Sequence, residues 1–224
     1  MTLRLEGTVR GTGGIRVING DCATSVPGLF AAGDAATREE ICGGFTGGGS
    51  HNAAWAIASG AWAGAGAARL AKAGGPRALR RASELVAAAQ VGEHGLAQPA
   101  DELVAAVQAE VFPTENNWIR EAGRLNASLQ SLDRAWRELA GSAPSGTPED
   151  PGARVRAREA MAMLATARWM YRSALARPET RGMARRAERA MPDPALRHRL
   201  IARGLDEIEI RPVAVSHDHG ALAA

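Results

Sequence analysis

The chain is poor in several things at once. Aromatic residues make up 4% of its 224 residues, Lys72 is its only lysine, and it has two cysteines, Cys22 and Cys42. Few aromatics leave little on which nucleic-acid bases could stack. Two cysteines with no CxxC spacing build no disulfide framework, so a reduced thiol pair and a cytoplasmic setting are expected. The N-terminus, MTLRLEGTVRGTGG, lacks the apolar core of a secretory signal. No run reaches the roughly 18 apolar residues that a membrane span needs. The longest alanine-rich run, Ala53 to Ala68, is interrupted by Ser59, Gly60, Gly64 and Gly66.

What is present is alanine, glycine and arginine. Apolar residues make up 46%, an ordinary globular share, and the alanines favour helix. The net charge is only +3, but Arg154 to Arg203 holds thirteen arginines against four acids. Such a stripe suits nucleic acid, a nucleotide substrate or an acidic protein surface. Nucleic acid is the weakest of the three, because no nucleic-acid-binding motif accompanies the charge.

The first third reads as strands and turns. LRLEGTV alternates like a strand. GGIRVING reads as a second strand ending in an Asn19-Gly20 turn. TSVPGLFAAGD reads as a Pro-Gly turn, a buried strand LFAA and a loop opened by Gly33-Asp34. From Ser50, an N-cap type, the pattern turns helical, with Gly60 and Gly64 one turn apart for close packing. Further helices are expected over 76–90, 101–112 and 153–177, and a short one over 194–203. A final strand is expected in DEIEIRPVAV. In NWIREAGRLNASLQSLDRAWREL, Trp118, Leu125, Leu129, Leu132, Trp136 and Leu139 form one helical stripe, which reads as core. GSAPSGTPEDPG, 141–152, reads as a linker. The fold class expected is α+β, mostly helical: an incomplete α/β segment followed by a C-terminal helical bundle.

The stretch from Gly43 to Gly49 packs five glycines into seven residues, and a helix follows. It is not a P-loop, for no Gly-Lys-Ser/Thr ending follows. The earlier GTGGIR fails the GxGxxG dinucleotide pattern at Arg16. The order of elements says more. An apolar strand ends in Gly33-Asp34, then come the glycines, then a helix N-terminus. The free N–H groups of a helix start carry roughly half a positive charge and stabilise an anion or a polarised carbonyl. A carboxylate at a strand end accepts hydrogen bonds from polyol hydroxyls. A polyol acceptor beside a donor array is what a flavin requires.

TSVPGLFAAGDAA followed by GGGSHNAAWAIASG resembles the C-terminal flavin-binding segment of the fumarate reductase and succinate dehydrogenase flavoprotein family, which also includes L-aspartate oxidase and the adenylylsulfate reductase alpha subunit. GGIRV resembles the family's strand leading into that segment. VFPTENNWIREAGRLNASLQSLDRAW and RPETRGMARR resemble its C-terminal helical domain, where the family reads something like R-x-E-S-R-G-x-H. The likeness extends to about Val215. It implies FAD as cofactor and hydride transfer between a small substrate and the flavin. Asp34, with Gly33, matches the acid that holds ribityl or ribose hydroxyls. Gly48, Gly49, Ser50 and Asn52 match the helix start under the flavin ring. The Gly-Ser-His order is most similar to the adenylylsulfate reductase branch, which makes His51 the catalytic candidate.

Two positions depart from the family pattern. Phe45-Thr46 stand where fumarate reductases carry a substrate-clamping arginine, which argues against a dicarboxylate substrate. Ala184 stands where the family often has histidine, while Arg177, Glu179 and Arg181 are kept and read as structural. The family's opening strand, GxGxxG and helix, and its capping domain, have no counterpart in these 224 residues. The resemblance therefore implies residues 1–75 as the C-terminal segment of an FAD-binding domain, 76–215 as a helical domain and 216–224 as a disordered tail. A split subunit, a truncated gene product and a fragment of a longer chain all remain open. The expected partner is the dinucleotide-binding half; an iron–sulfur electron-transfer subunit is a further candidate. The alternatives are a non-catalytic helical assembly module and, more weakly, an arginine-rich nucleic-acid binder.

Overall fold

Residues 14–37, 49–88, 99–141, 150–182 and 184–215 are described by the computed structural model, with backbone alone at 49–52, 75–88 and 140–141. The strand expected in LRLEGTV, the tail 216–224, Cys42, Gly48 and most of the 141–152 linker lie outside the described residues. The chain divides into two compact units, one up to Gln90 and one from Val91 to Ser216. The architecture is α+β and mostly helical.

In the first unit, alanine-rich sequence builds one long helix, α1, Gly49–Ala88. The separate helix expected from Pro76 is therefore corrected: α1 runs through Gly74-Gly75-Pro76. An interior proline forfeits one N–H bond and strains the turn before it. The helix formers on both sides outweigh that cost. The strands expected before α1 shrink to isolated bridges, Ile15 with Ala36 in parallel and Ala23 with Phe30 antiparallel. The turns are where the sequence puts them. Asn19 Oδ1 accepts from the amides of Asp21 and Ala23, each at 3.1 Å. Leu29 N donates to Val26 O at 3.0 Å across Pro27-Gly28, with Gly28 at φ 87°.

Among the described residues the core of this unit is Cys22, Ala31, Ala36, Trp55 and Ala63. Burial, and then the neighbouring Asp21, push the Cys22 thiol above its ordinary range. The close-packing glycine is Gly66, not Gly60 or Gly64. A Cβ at Gly66 would stand 2.8 Å from the Phe30 ring and 2.9 Å from Asp21 Cβ, whereas nothing lies within 4 Å of one at Gly60 or Gly64. Gly66 shares a helix face with Trp55, Ser59 and Ala63. Arg69 pairs with Asp21 one turn further on.

The second unit is a helical bundle with one hairpin. Helices α2 (Ala100–Val111), α4 (Ala122–Gly141) and α5 (Pro151–Ala176) pack together, with the single turn α3 (Thr114–Asn117) between α2 and α4. Four members of the expected stripe, Leu125, Leu129, Leu132 and Trp136, are buried against Leu103, Val107, Leu164 and Tyr171. Trp118 departs from the stripe. It lies before α4 and is half exposed. Helix α5 starts as its sequence dictates: Asp150 accepts from Gly152 N and Ala153 N, and Pro151 fills the first turn.

The helix expected over 194–203 is also corrected. Only a 3-10 turn, Pro194–Leu196, forms there. His198–Arg203 is strand β1, paired antiparallel with β2, Glu209–Ala214, from His198↔Ala214 to Arg203↔Glu209. The reason is tertiary. Trp169 Nε1 donates to Gly204 O at 2.7 Å, and Arg168 donates to the carbonyls of Leu205 and Asp206, so α5 holds the hairpin turn. Arg168 is 4% exposed, pairs with Asp133 at 2.7 Å and lies 4.7 Å over the Trp136 ring.

Candidate functional site

The residues singled out around Gly33 and the start of α1 are brought into one unit. Asp34 is exposed on a 3-10 turn, Gly33–Ala35, and Gly33 adopts φ +60°, a conformation that only glycine takes readily. Both backbone polar groups of Gly33 are already engaged. Its N–H donates to Ser59 Oγ at 2.9 Å, and its carbonyl accepts from Trp55 Nε1 at 2.8 Å. Ser59, completely buried, also donates to the Trp55 carbonyl one turn back. Gly33, next to Asp34, is thereby anchored to α1.

Sequence reasoning missed Ser59 and Trp55. Their signal was a polar residue and an indole one helical turn apart on the face that carries Ala63 and Gly66. That pairing fixes Gly33 at its positive φ.

The helix begins at Gly49, one residue before the expected Ser50. The backbones of Ser50, His51 and Asn52 lie in its first turn. A Cβ on Gly33 would touch Ala56 Cβ at 3.9 Å, seven residues along α1 from Gly49. At 1.5 Å per residue that is about 10 Å along the axis. Asp34, a hydrogen-bond acceptor, and the free N–H groups of the helix start, donors, take different kinds of group. They suit two ends of one extended ligand, hydroxyls at the carboxylate and a negative or polarised group at the helix start. A flavin with its ribityl chain has those two ends, so the residues present fit part of an FAD.

Arg177 and Arg181, singled out in the sequence with Glu179, do a different job. Glu179 is completely buried and receives Arg181 in a two-pronged contact, at 2.7 and 3.1 Å, and Arg177 at 2.9 Å. The Arg181 hydrogen bonds, with the Asp193 amide and Arg177, hold its carboxyl down to about 2 against the opposing effect of burial. Arg177 also donates to the carbonyls of Leu196 and His198, and Arg181 to that of Asp193. These residues bind the segment after α5 to the start of β1 within the second unit.

No protein-family model and no curated protein matches the chain. A solved structure does: a mutant FrdA of the quinol fumarate reductase of E. coli, at a TM-score of 0.62 and 19% identity. The match covers 93% of this chain and 37% of that one, so the chain spans little more than a third of its neighbour's length. At this identity the likeness is one of fold.

Proposed function

We propose that the chain is the C-terminal, flavin-contacting portion of an FAD-dependent oxidoreductase of the fumarate reductase and succinate dehydrogenase flavoprotein type. The observation that carries this reading is the fold match over 93% of the chain. The presence of Asp34 and the start of α1 in one compact unit is consistent with it. On this reading residues 1–75 complete a flavin-binding domain and 76–215 form the helical domain, with α1 crossing that boundary. FAD, when bound, accepts or donates a hydride. Asp34 would take hydrogen bonds from its polyol hydroxyls, and the helix start at Gly49, Ser50 and Asn52 would lie against the ring. His51 borders the substrate, as in the adenylylsulfate reductase branch. A dinucleotide-binding half completes the site on this reading, and an iron–sulfur subunit is the natural electron partner.

Co-expression tests this. The chain purified alone is expected to hold no stoichiometric flavin. With a partner segment carrying the dinucleotide fold, the visible flavin spectrum should appear. Asp34→Ala should then lower flavin content. Ser50→Pro deletes one free N–H while respecting the proline tolerance of a first helical turn, and should shift the flavin potential. If both variants leave flavin content and potential unchanged, the reading fails. His51→Gln should keep the flavin and lose about 10²- to 10⁴-fold in turnover. The same measurements exclude or support a purely structural module, which binds no flavin under any pairing.

A further inference from the structure

Arg120 differs from the other arginines around it. Arg168, Arg172, Arg177, Arg181, Arg189 and Arg203 each reach a carboxylate. Arg120 is half-buried, and among the described residues no carboxylate pairs with it. Its backbone is bridged in parallel to Arg186: Arg120 N donates to Arg185 O, and Ala187 N to Arg120 O, both at 2.9 Å. Residues paired this way carry their side chains on one side, about 5 Å apart at Cβ. Like charges so placed repel.

Arg186 is buried, but its guanidinium is occupied. Nε meets Glu188 at 3.2 Å and Nη1 the Ala174 carbonyl at 3.2 Å. Glu188 in turn takes the Ala122 amide, so it has little left for Arg120. Tyr171 is nearby, but its hydroxyl donates to the Glu110 carbonyl at 2.7 Å. A third cation, Arg185, lies 5.8 Å over the half-exposed Trp118 ring. Burial, with Arg186 adding to it and Tyr171 opposing, brings the Arg120 guanidinium below its ordinary range. A half-buried cation without a counter-charge beside a second cation is costly unless something neutralises it.

We propose that Arg120, backed by Arg186, is a binding site for an oxyanion: the carboxylate or phosphate group of a small molecule. An arginine fork matches either group with two parallel N–H bonds. The site lies wholly in the second unit and does not rest on the flavin reading.

The test uses the full chain without flavin. Inorganic phosphate and acetate are titrated separately at constant ionic strength, with chloride as reference, by calorimetry and thermal melting. Saturable one-site binding of phosphate marks a phosphate site, and of acetate a carboxylate site; either supports the proposal. Arg120→Gln should weaken binding at least tenfold, and Arg120→Lys, which keeps the charge and loses the fork, severalfold. Arg154→Gln, on an exposed face of α5, should change nothing. Without added oxyanion, Arg120→Gln should melt at or above the wild-type temperature, because an uncompensated charge is gone. Absence of saturable binding, binding that survives Arg120→Gln, or a lowered melting temperature for unliganded Arg120→Gln each overturns the site; the last makes Arg120 a structural strut.

Discussion

The two units bury different things. The second buries Leu103, Leu125, Leu129, Leu132, Leu164, Trp136 and Tyr171, and adds an enclosed carboxylate, Glu179, tied by arginines. The first buries alanines, a cysteine and one tryptophan, and leaves Ile15, Ile18, Val26, Leu29, Ile57 and Trp62 on its surface. Apolar burial is the main source of stability, so the second unit has the means to hold itself together. The first, among its described residues, has the smaller apolar core and adds polar contacts at Gly33; apolar residues lie on the surface of both units. On the proposed reading, the exposed apolar residues of the first unit are where the rest of the flavin-binding domain packs.

The largest effect should come from breaking the carboxylate knot of the second unit. Glu179→Ala leaves Arg177 and Arg181 without their shared counter-charge, and removing one partner of a buried pair costs about 3–5 kcal/mol. Chemical denaturation checks this, and hydrogen exchange should show the loss in α5 and the hairpin, not in α1. The acid limb follows from the same residue. Its folded carboxyl titrates at about 2, below the ordinary 4.5. Its stabilisation is therefore complete above about 4.5 and is lost as the pH falls toward about 2. Glu179→Gln should remove that part of the acid dependence.

Next comes Leu164→Ala, at a position with no exposure at all. A deletion of this kind in a packed core costs about 2–5 kcal/mol. Protection in α2, α4 and α5 should fall together while α1 is unmoved. If α1 loses protection equally, the two units are one cooperative body and the contrast drawn between them is wrong.

Ser59→Ala should have a smaller, local effect in the first unit. It strips the Gly33 amide of its acceptor, at a cost of about 1–3 kcal/mol. Exchange at Gly33 and Ala36 should quicken without change in the second unit.

Long, strongly periodic elements were legible in the sequence because their own residues dictate them. Leu125, Leu129, Leu132 and Trp136 mark one helical face without help from elsewhere; the start of α5 was expected at Ala153, with Asp150-Pro151 counted in the linker, although Asp150 is its N-cap. Elements that depend on distant partners were not legible. His198–Arg203 is a strand because Arg168 and Trp169 hold its turn and β2 pairs with it. Pro76 breaks a helix by local rules and does not do so here. The glycine chosen for close packing was wrong for the same reason: Gly60 and Gly64 have the spacing, but Phe30 and Asp21 meet Gly66. Asp34 was picked out as a candidate by its place after the apolar run LFAA. The contacts that fix Gly33 beside it, from Ser59 and Trp55, lie 25 and 21 residues beyond Asp34, and sequence periodicity alone did not connect them.

The smallest effect in the chain alone sharpens the contrast most. Ile57 is 75% exposed on α1, on the side away from Trp55 and Ser59. Ile57→Ser should change the stability of the isolated chain by no more than about 0.5 kcal/mol, as surface substitutions do. If the first unit is part of a larger flavin-binding domain, Ile57 is covered once that domain is complete, and the same substitution then loses buried apolar area at about 25 cal/mol per Å². Melting the chain alone and the reconstituted flavoprotein, each with and without Ile57→Ser, separates the cases. A deficit that appears only on assembly identifies the bare face of α1 as an interface. Equal, negligible effects in both states would make it an ordinary solvent face, and the thin core of the first unit would then need another explanation.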